Sequence, residues 1–307
     1  MNKAKIGLRN FAVAISALTI IGHLVLGFES SWAQVLATLA TTYVLETGFE
    51  VIQAKQQRRP MAFLQSFPSG LSFFYPAHIT GLAIAMLLYP GGRIVPFVFA
   101  GSVAICSKVI FRTTIDGKSR HFLNPSNTGI TAALLLFPSI VSIAPPYEFT
   151  EYVRTFWDIA IPVIIVASGT FLNYKLTGKH LLILGWLSGF VAQALVRSIV
   201  FGDPVLSQLM PMTGVAFILF TFYMISDPAT TPFKARAQVG FGLAVALAYG
   251  VLIQLNVPFT LFFALVGVCV LRGSIWAIQS RRTGAGRPPQ YKAQDYAVVY
   301  SSPGGMR

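Results

Sequence analysis

A chain of 307 residues that is 54% hydrophobic and only 11% charged, with mean hydropathy +0.66, is not an ordinary soluble domain; it has the composition of a polytopic membrane protein. The formal net charge of +13 invites a nucleic-acid reading, but in such a chain basic residues first report topology, and no nucleic-acid partner is expected. Cys106 and Cys269 have no C-x-x-C spacing, so they read as small buried hydrophobes rather than metal ligands.

A hydrocarbon core of about 30 Å needs roughly 20 apolar residues per helical crossing. Ten segments bounded by charges, prolines or glycines fit: 10–28, 33–53, 68–89, 94–111, 125–144, 156–174, 181–200, 209–226, 238–255 and 259–278. The runs are too long for strands and lack two-residue alternation, so the expected fold is an all-α integral membrane protein. The first segment, with Lys3 to Arg9 ahead of it and Ser31-Trp32-Ala33 behind, imitates a secretory signal. Its apolar run is longer than a signal core, so it is kept as a span. The membrane domain covers 1–279; 280–307, rich in Gly, Pro and charge, reads as a disordered tail.

Of the 23 Lys and Arg, all but Arg93, Arg154 and Arg197 fall on one side of this ten-span layout. That asymmetry predicts a multi-pass protein of the inner (plasma) membrane with both termini cytoplasmic. Pro76-Ala77-His78-Ile79-Thr80-Gly81 in the third span resembles Pro211-Met212-Thr213-Gly214 in the eighth, and Asn124-Pro125 finds a partner in Asn256-Val257-Pro258. The shared offset suggests two five-helix halves, 10–144 and 145–279, inverted relative to one another. Such repeats frame midplane sites with interrupted helices, which makes Pro76, Gly81, Pro211 and Gly214 candidate interruptions and places Thr80 and Thr213 near a site.

Ionisable groups at bilayer depth cost roughly 2.5–3.5 kcal/mol and are usually turned inward. Glu46 and Glu50 share one helix face; Glu46, the deeper, is either an ion or proton group or half of a structural pair. His23 and His78 read as packing hydrogen bonders, and Asp158 and Arg197 are placed to pair. No hydrolase triad, H-E-x-x-H or G-x-x-x-x-G-K is present, and no catalytic residue is assigned.

The stretches "HFLNPSNTGITAALLLFP" and "YMISDPATTPFKAR" resemble the membrane family that includes the B subunit of the sodium-translocating NADH:quinone reductase and the D subunit of the Rnf electron-transport complex. "APPYEFTE", "SGTFLN" and "PMTGVAFILFTFYMISDPATTP" are similar to the branch encoded in enediyne biosynthetic clusters. The resemblance implies a flavin-binding membrane subunit that passes electrons between redox partners, coupled in relatives to ion movement. Asn124, Pro125, Ser126 and Asn127 match the first motif, and Asp227, Pro228, Thr230 and Thr231 the second. Relatives with covalent FMN use a Ser-Gly-Ala-Thr acceptor, a tetrad this chain lacks; the expected cofactor is therefore a noncovalent flavin, riboflavin or FMN. Other membrane or redox subunits are the implied partners, together with the bilayer itself.

Two other classes stay open. A channel or transporter for a small solute would need a continuous polar path past Thr80 and Thr213, and an accessory membrane protein of a biosynthetic pathway would need neither path nor cofactor.

Overall fold

The computed structural model describes residues 3–115, 118–145 and 156–282. Most of the tail lies outside them, as do most of "APPYEFTE" and Arg154.

Within the described residues the protein is an all-α, multi-pass membrane protein. Seven stretches are long and apolar enough to cross a membrane: Ile6–Leu26, Trp32–Gln56, Phe67–Leu87, Phe156–Thr177, His180–Phe201, Ala235–Gln254 and Thr260–Ser280. In chain order the helices are α1 (Lys3–Ile21), α2 (Trp32–Gln56), α3 (Phe67–Leu87), α4 (Val95–Ile110), α5 (Pro125–Leu136), α6 (Phe156–Phe171), α7 (His180–Phe201), α8 (Val205–Leu209), α9 (Val215–Leu219), α10 (Ala235–Gln254) and α11 (Thr260–Arg282). Three of the ten expected spans differ in kind. Helix α4 has 16 residues and α5 has 12, both short of a full crossing, and the eighth is broken, Val205–Thr213 and Val215–Met224 meeting at 70°.

Local chemistry places the ends. Ser31 and Gln34 form a reciprocal capping box at the start of α2, while Ser66 caps α3 with a proline in its first turn. Gly27, Gly178 and Gly202 close α1's terminal π turn, the turn after α6 and α7 with φ of 75°, 67° and 77°, a conformation costly for any other residue. Pro76 does not interrupt α3, contrary to expectation; the Thr80 hydroxyl donates to the Pro76 carbonyl at 2.8 Å inside a continuous helix. The break falls instead at Met210–Gly214, a 3-10 turn leading to an extended Gly214.

Two short antiparallel pairings occur between helices: β1 (Leu88–Tyr89) with β4 (Ser142–Ile143), and β2 (Arg112–Ile115) with β3 (Lys118–His121). β2 and β3 fall largely in an expected loop, whereas β1 and β4 occupy the ends of the expected spans 68–89 and 125–144, where the helices stop early and the pairing satisfies the backbone groups.

Glycines bring the helices together. A Cβ on Gly129 would meet the Ala100 carbonyl carbon of α4 at 3.1 Å, and one on Gly185 the Val239 carbonyl oxygen of α10 at 2.6 Å, so α5 and α7 press directly against neighbouring backbones. Around these contacts Trp186, Phe190, Phe217, Phe220 and Tyr249 form an aromatic core, with the Trp186 indole donating to the Thr221 hydroxyl at 2.9 Å. Large apolar side chains such as Ile199, 85% exposed, point outward as lipid-facing residues should.

The acids of α2 are both paired. Lys108 of α4 donates to Glu46 at 2.6 Å with both side chains buried, and Arg59 grips Glu50 at 2.5 and 2.8 Å. Of the two roles open to Glu46, the geometry is that of the structural pair, joining α2 to α4. Arg197 pairs with Asp203 at 3.0 Å, not with Asp158. Lys108→Met removes the cation paired with the buried Glu46 carboxylate and should cost about 3–5 kcal/mol, whereas Lys108→Met with Glu46→Leu should recover most of the loss. Thermal unfolding of the detergent-solubilised variants measures both.

Candidate functional site

The first motif builds a helix start. Asn124 caps α5, its Oδ1 accepting from the Asn127 amide and the Ser126 hydroxyl, each at 3.0 Å, and Pro125 fills the first helical position, where no donor is needed. The Asn124 Nδ2 then donates across the molecule to the Met224 carbonyl at 3.0 Å. Asn127 is fully buried and reaches the Phe262 carbonyl of α11 at 3.0 Å.

What Asn124 holds is the end of the broken helix. After α9 the backbone widens into a π turn, Phe220–Met224. Such turns leave carbonyls short of helical donors and cluster at functional sites. A second asparagine, Asn173 of the Leu172–Thr177 turn that follows α6, donates to the Phe222 carbonyl at 2.7 Å and to the Gly169 carbonyl at 2.8 Å. Two side chains from distant elements thus pin one irregular segment. Gly169 permits this approach, since a Cβ there would meet Phe222 Cβ at 2.5 Å.

Between these elements lies a cavity of about 350 Å³, walled by α1, α3, the start of α5, α6 and the π turn. Its lining is mostly apolar, with Phe11, Phe222 and Tyr223 supplying aromatic surface. The Phe11 and Tyr223 rings stack at 5.4 Å, and the Tyr223 hydroxyl pairs with Ser168 at 2.7 Å. The polar groups are Thr80, His121, Asn124, Ser126, Ser168, Asn173, Thr177, Tyr223, Ser226 and Asp227, and the lining holds neither Lys nor Arg. Thr80 and Ser126 already donate to protein acceptors, so both hydroxyls offer lone pairs to a ligand, as Asp227 does.

The second motif forms the adjoining loop. Asp227 accepts from the Ala229 amide at 3.1 Å and the Thr230 hydroxyl at 2.9 Å, and the Thr231 hydroxyl returns to the Asp227 carbonyl at 2.5 Å. Arg272 of α11 donates to the Thr230 carbonyl at 2.6 Å and lies 3.8 Å from the Trp276 ring centroid. Lys179, with no exposed surface, donates to the Pro232 carbonyl at 2.6 Å and sits 4.2 Å from the Phe233 ring centroid. Burial pulls Lys179 down to about 7, partly opposed by the attraction of Asp227 and reinforced by Arg272 and Arg120. Burial pushes the Asp227 carboxyl above its usual range, against the two hydrogen bonds and the pull of Lys179 and Lys108. His121 is held well below its usual value by burial and by Arg112, Lys108 and Arg120, so it faces the cavity as neutral imidazole.

Of the residues singled out in the sequence, Thr80, Asn124, Pro125, Ser126 and Asp227 line one cavity. Asn127 stands behind it, and Thr230 and Thr231 spend their hydroxyls inside the loop, as a helix-terminal turn would. Thr213 is exposed at the helix break, donating to the Met210 carbonyl at 2.7 Å, and lies outside the lining. Glu46 is likewise outside it. Lys234 and Arg236, basic candidates for a phosphate, are exposed and do not reach the lining. Asn173, Tyr223 and His121 were missed. For Asn173 a signal existed: an amide in an otherwise apolar run, "SGTFLN", needs an internal partner at that depth.

The buried lysine sets a pH dependence. Its folded value of about 7 lies below the usual 10.5, so between these limits the unfolded chain binds more protons and this group's contribution to stability rises with pH. The cost is complete below about pH 7. Relative to Lys179→Met, the wild-type melting temperature should therefore climb between pH 7 and 10, at most about 1.4 kcal/mol per pH unit in free energy. A constant difference across that range would refute the assignment.

No family model matches the chain, and no curated protein matches it.

Proposed function

We propose that the protein is a flavin-binding component of a membrane electron-transport system, related to the B and D subunits whose motifs it resembles. The observation that carries this reading is the convergence of Thr80, Asn124, Pro125, Ser126 and Asp227 on one cavity. Thr80, the Asn124–Ser126 stretch and Asp227 come from three separate parts of the chain. A cavity of about 350 Å³ is at the lower end of the range for small-molecule sites. Its apolar and aromatic walls suit an isoalloxazine ring, and its acceptor-rich polar groups suit the ring's N–H edge and the ribityl hydroxyls. The flavin is held without a covalent bond: Ser168 is engaged with Tyr223, Gly169 is packed on Phe222, and no acceptor tetrad exists. Its role is to relay electrons between partner subunits or soluble redox proteins, with the protein's own groups setting the polarity around it.

Ten crossings in two inverted halves accompany this proposal. Matching elements make matching contacts: α2 packs on α4 as α7 packs on α10, and α4 on α5 as α10 on α11. The two Asn-Pro elements, one per half, approach each other through the Asn127 bond to Phe262. In this arrangement the loops bearing Arg59, Arg120, Lys179 and Arg236 face the cytoplasm of a plasma membrane, and the cavity's polar end lies on that side. A solute channel would need polar continuity past Thr80 and Thr213, whereas the cavity is largely apolar and Thr213 is exposed outside it.

Purification in detergent, an absorbance spectrum and acid extraction test the proposal. A flavin band near one equivalent, released by acid, is expected; a folded, colourless protein would sink it. Thr80→Val with Ser126→Ala removes two hydrogen-bond partners worth about 1 kcal/mol each, and should weaken flavin retention by roughly 30-fold. Thr213→Val should leave it unchanged.

A further inference from the structure

Among the described residues, one side of the cavity has no protein wall. At one end α1 meets the turn after α6, where a Cβ on Gly7 would touch Leu176 at 3.5 Å, and the Phe11 ring stacks on Tyr223. Beyond those contacts the lining residues Ala14, Ala17 and Ile21 of α1, and Ile164 and Ser168 of α6, are exposed, Ile21 to 48% and Ile164 to 57%. Among the described residues the main packing of α1 is along α3 and against the 172–177 turn, rather than along the body of α6. A residue that both lines a cavity and is open to the outside marks an opening, and here both lips of the opening carry such residues.

The surroundings decide what fills it. Stretches Ile6–Leu26 and Phe156–Thr177, which bear the lips, are both long and apolar enough to span, so the gap between them opens on hydrocarbon rather than water. Ala14 and Ala17 lie three apart on one helical face and leave a groove there, too shallow for α1 itself to fill. Gly7–Leu176 and the Phe11–Tyr223 stack close the groove at that end alone.

We propose that the acyl chain of a membrane phospholipid lies in the α1–α6 gap and completes the cavity wall. An alkyl chain gains nothing from the hydrophobic effect on leaving bulk lipid, so retention rests on van der Waals fit along the groove and on filling a void that would otherwise forfeit those contacts. The seated chain also separates the polar groups at the cavity's end, Asp227 and His121 among them, from water that follows lipid defects. The inference rests on the gap and not on what occupies the cavity, so flavin content and lipid content are read separately in one sample.

The test is native mass spectrometry of detergent-purified protein after prolonged washing, with photoactivatable phospholipid as a second probe. Wild-type protein should retain about one phospholipid, and the probe, carrying its reactive group mid-chain, should label the segments 13–21 and 161–172 above other lipid-facing segments. Ala17→Phe, which fills the groove from one lip, should lower occupancy about ten-fold, equivalent to roughly 1.4 kcal/mol; Ile164→Trp does so from the other lip. Loss of all phospholipid from folded wild-type protein, unchanged occupancy in a folded filling variant, or labelling spread evenly over the lipid-facing helices would overturn the proposal. The labelling pattern of wild-type protein decides the matter even if neither variant folds.

Discussion

A helix that loses its regular ladder at bilayer depth survives only where its freed carbonyls find donors inside the protein. Asn124 and Asn173 meet that condition for the π turn at Phe220–Met224, one from the start of α5 and the other from the turn after α6. Much else follows from this bracing. Because Asn124 is also the cap of α5, the start of that helix and the end of the broken one cannot move independently. The cavity takes its shape from the space left between these braced elements and the straight helices α1 and α3.

The loop that follows is held by charge rather than by shape. Lys179 and Arg272 donate to carbonyls of residues 230–232, and Gln238 donates to the Phe233 and Gly178 carbonyls, both at 3.0 Å. Asp227 folds the loop back on itself through Ala229 and Thr230. A buried cation is expensive, and here its expense is only partly offset by carbonyl dipoles, an aromatic face and a nearby carboxylate. The same arrangement that satisfies the loop leaves one face of Asp227 on the cavity, so a charged group needed for local structure doubles as the site's most polar feature.

How much of this could be read from residues alone depends on what each signal encodes. Apolar runs report length and membrane affinity, and a helix lies within each of the ten segments. They do not report where a helix ends early, so the shortness of α4 and α5 was invisible. In a segment that is apolar all round, no periodicity says which side faces a cavity; hence Thr80 lines the cavity and Thr213, in a similar local sequence, does not. Glu46 and Lys108 are 62 residues apart, and nothing local pairs them. Asn124 stood out through the motif that opens the fifth segment, but neither its cap on α5 nor its bond to Met224, spanning 100 residues, was read from the sequence.

The two similar stretches, Pro76 to Gly81 and Pro211 to Gly214, differ in mechanics. In α3 the chain passes Pro76 without a break, while its counterpart bends by 70° at Met210–Gly214. The segment Val215–Met224, whose later residues line the cavity, is therefore bent at its Gly214 end and anchored by two asparagines at the other. Phe222 and Tyr223 sit at the anchored end, so a displacement of residues 203–213 would be taken up at the Gly214 bend before it reached their rings.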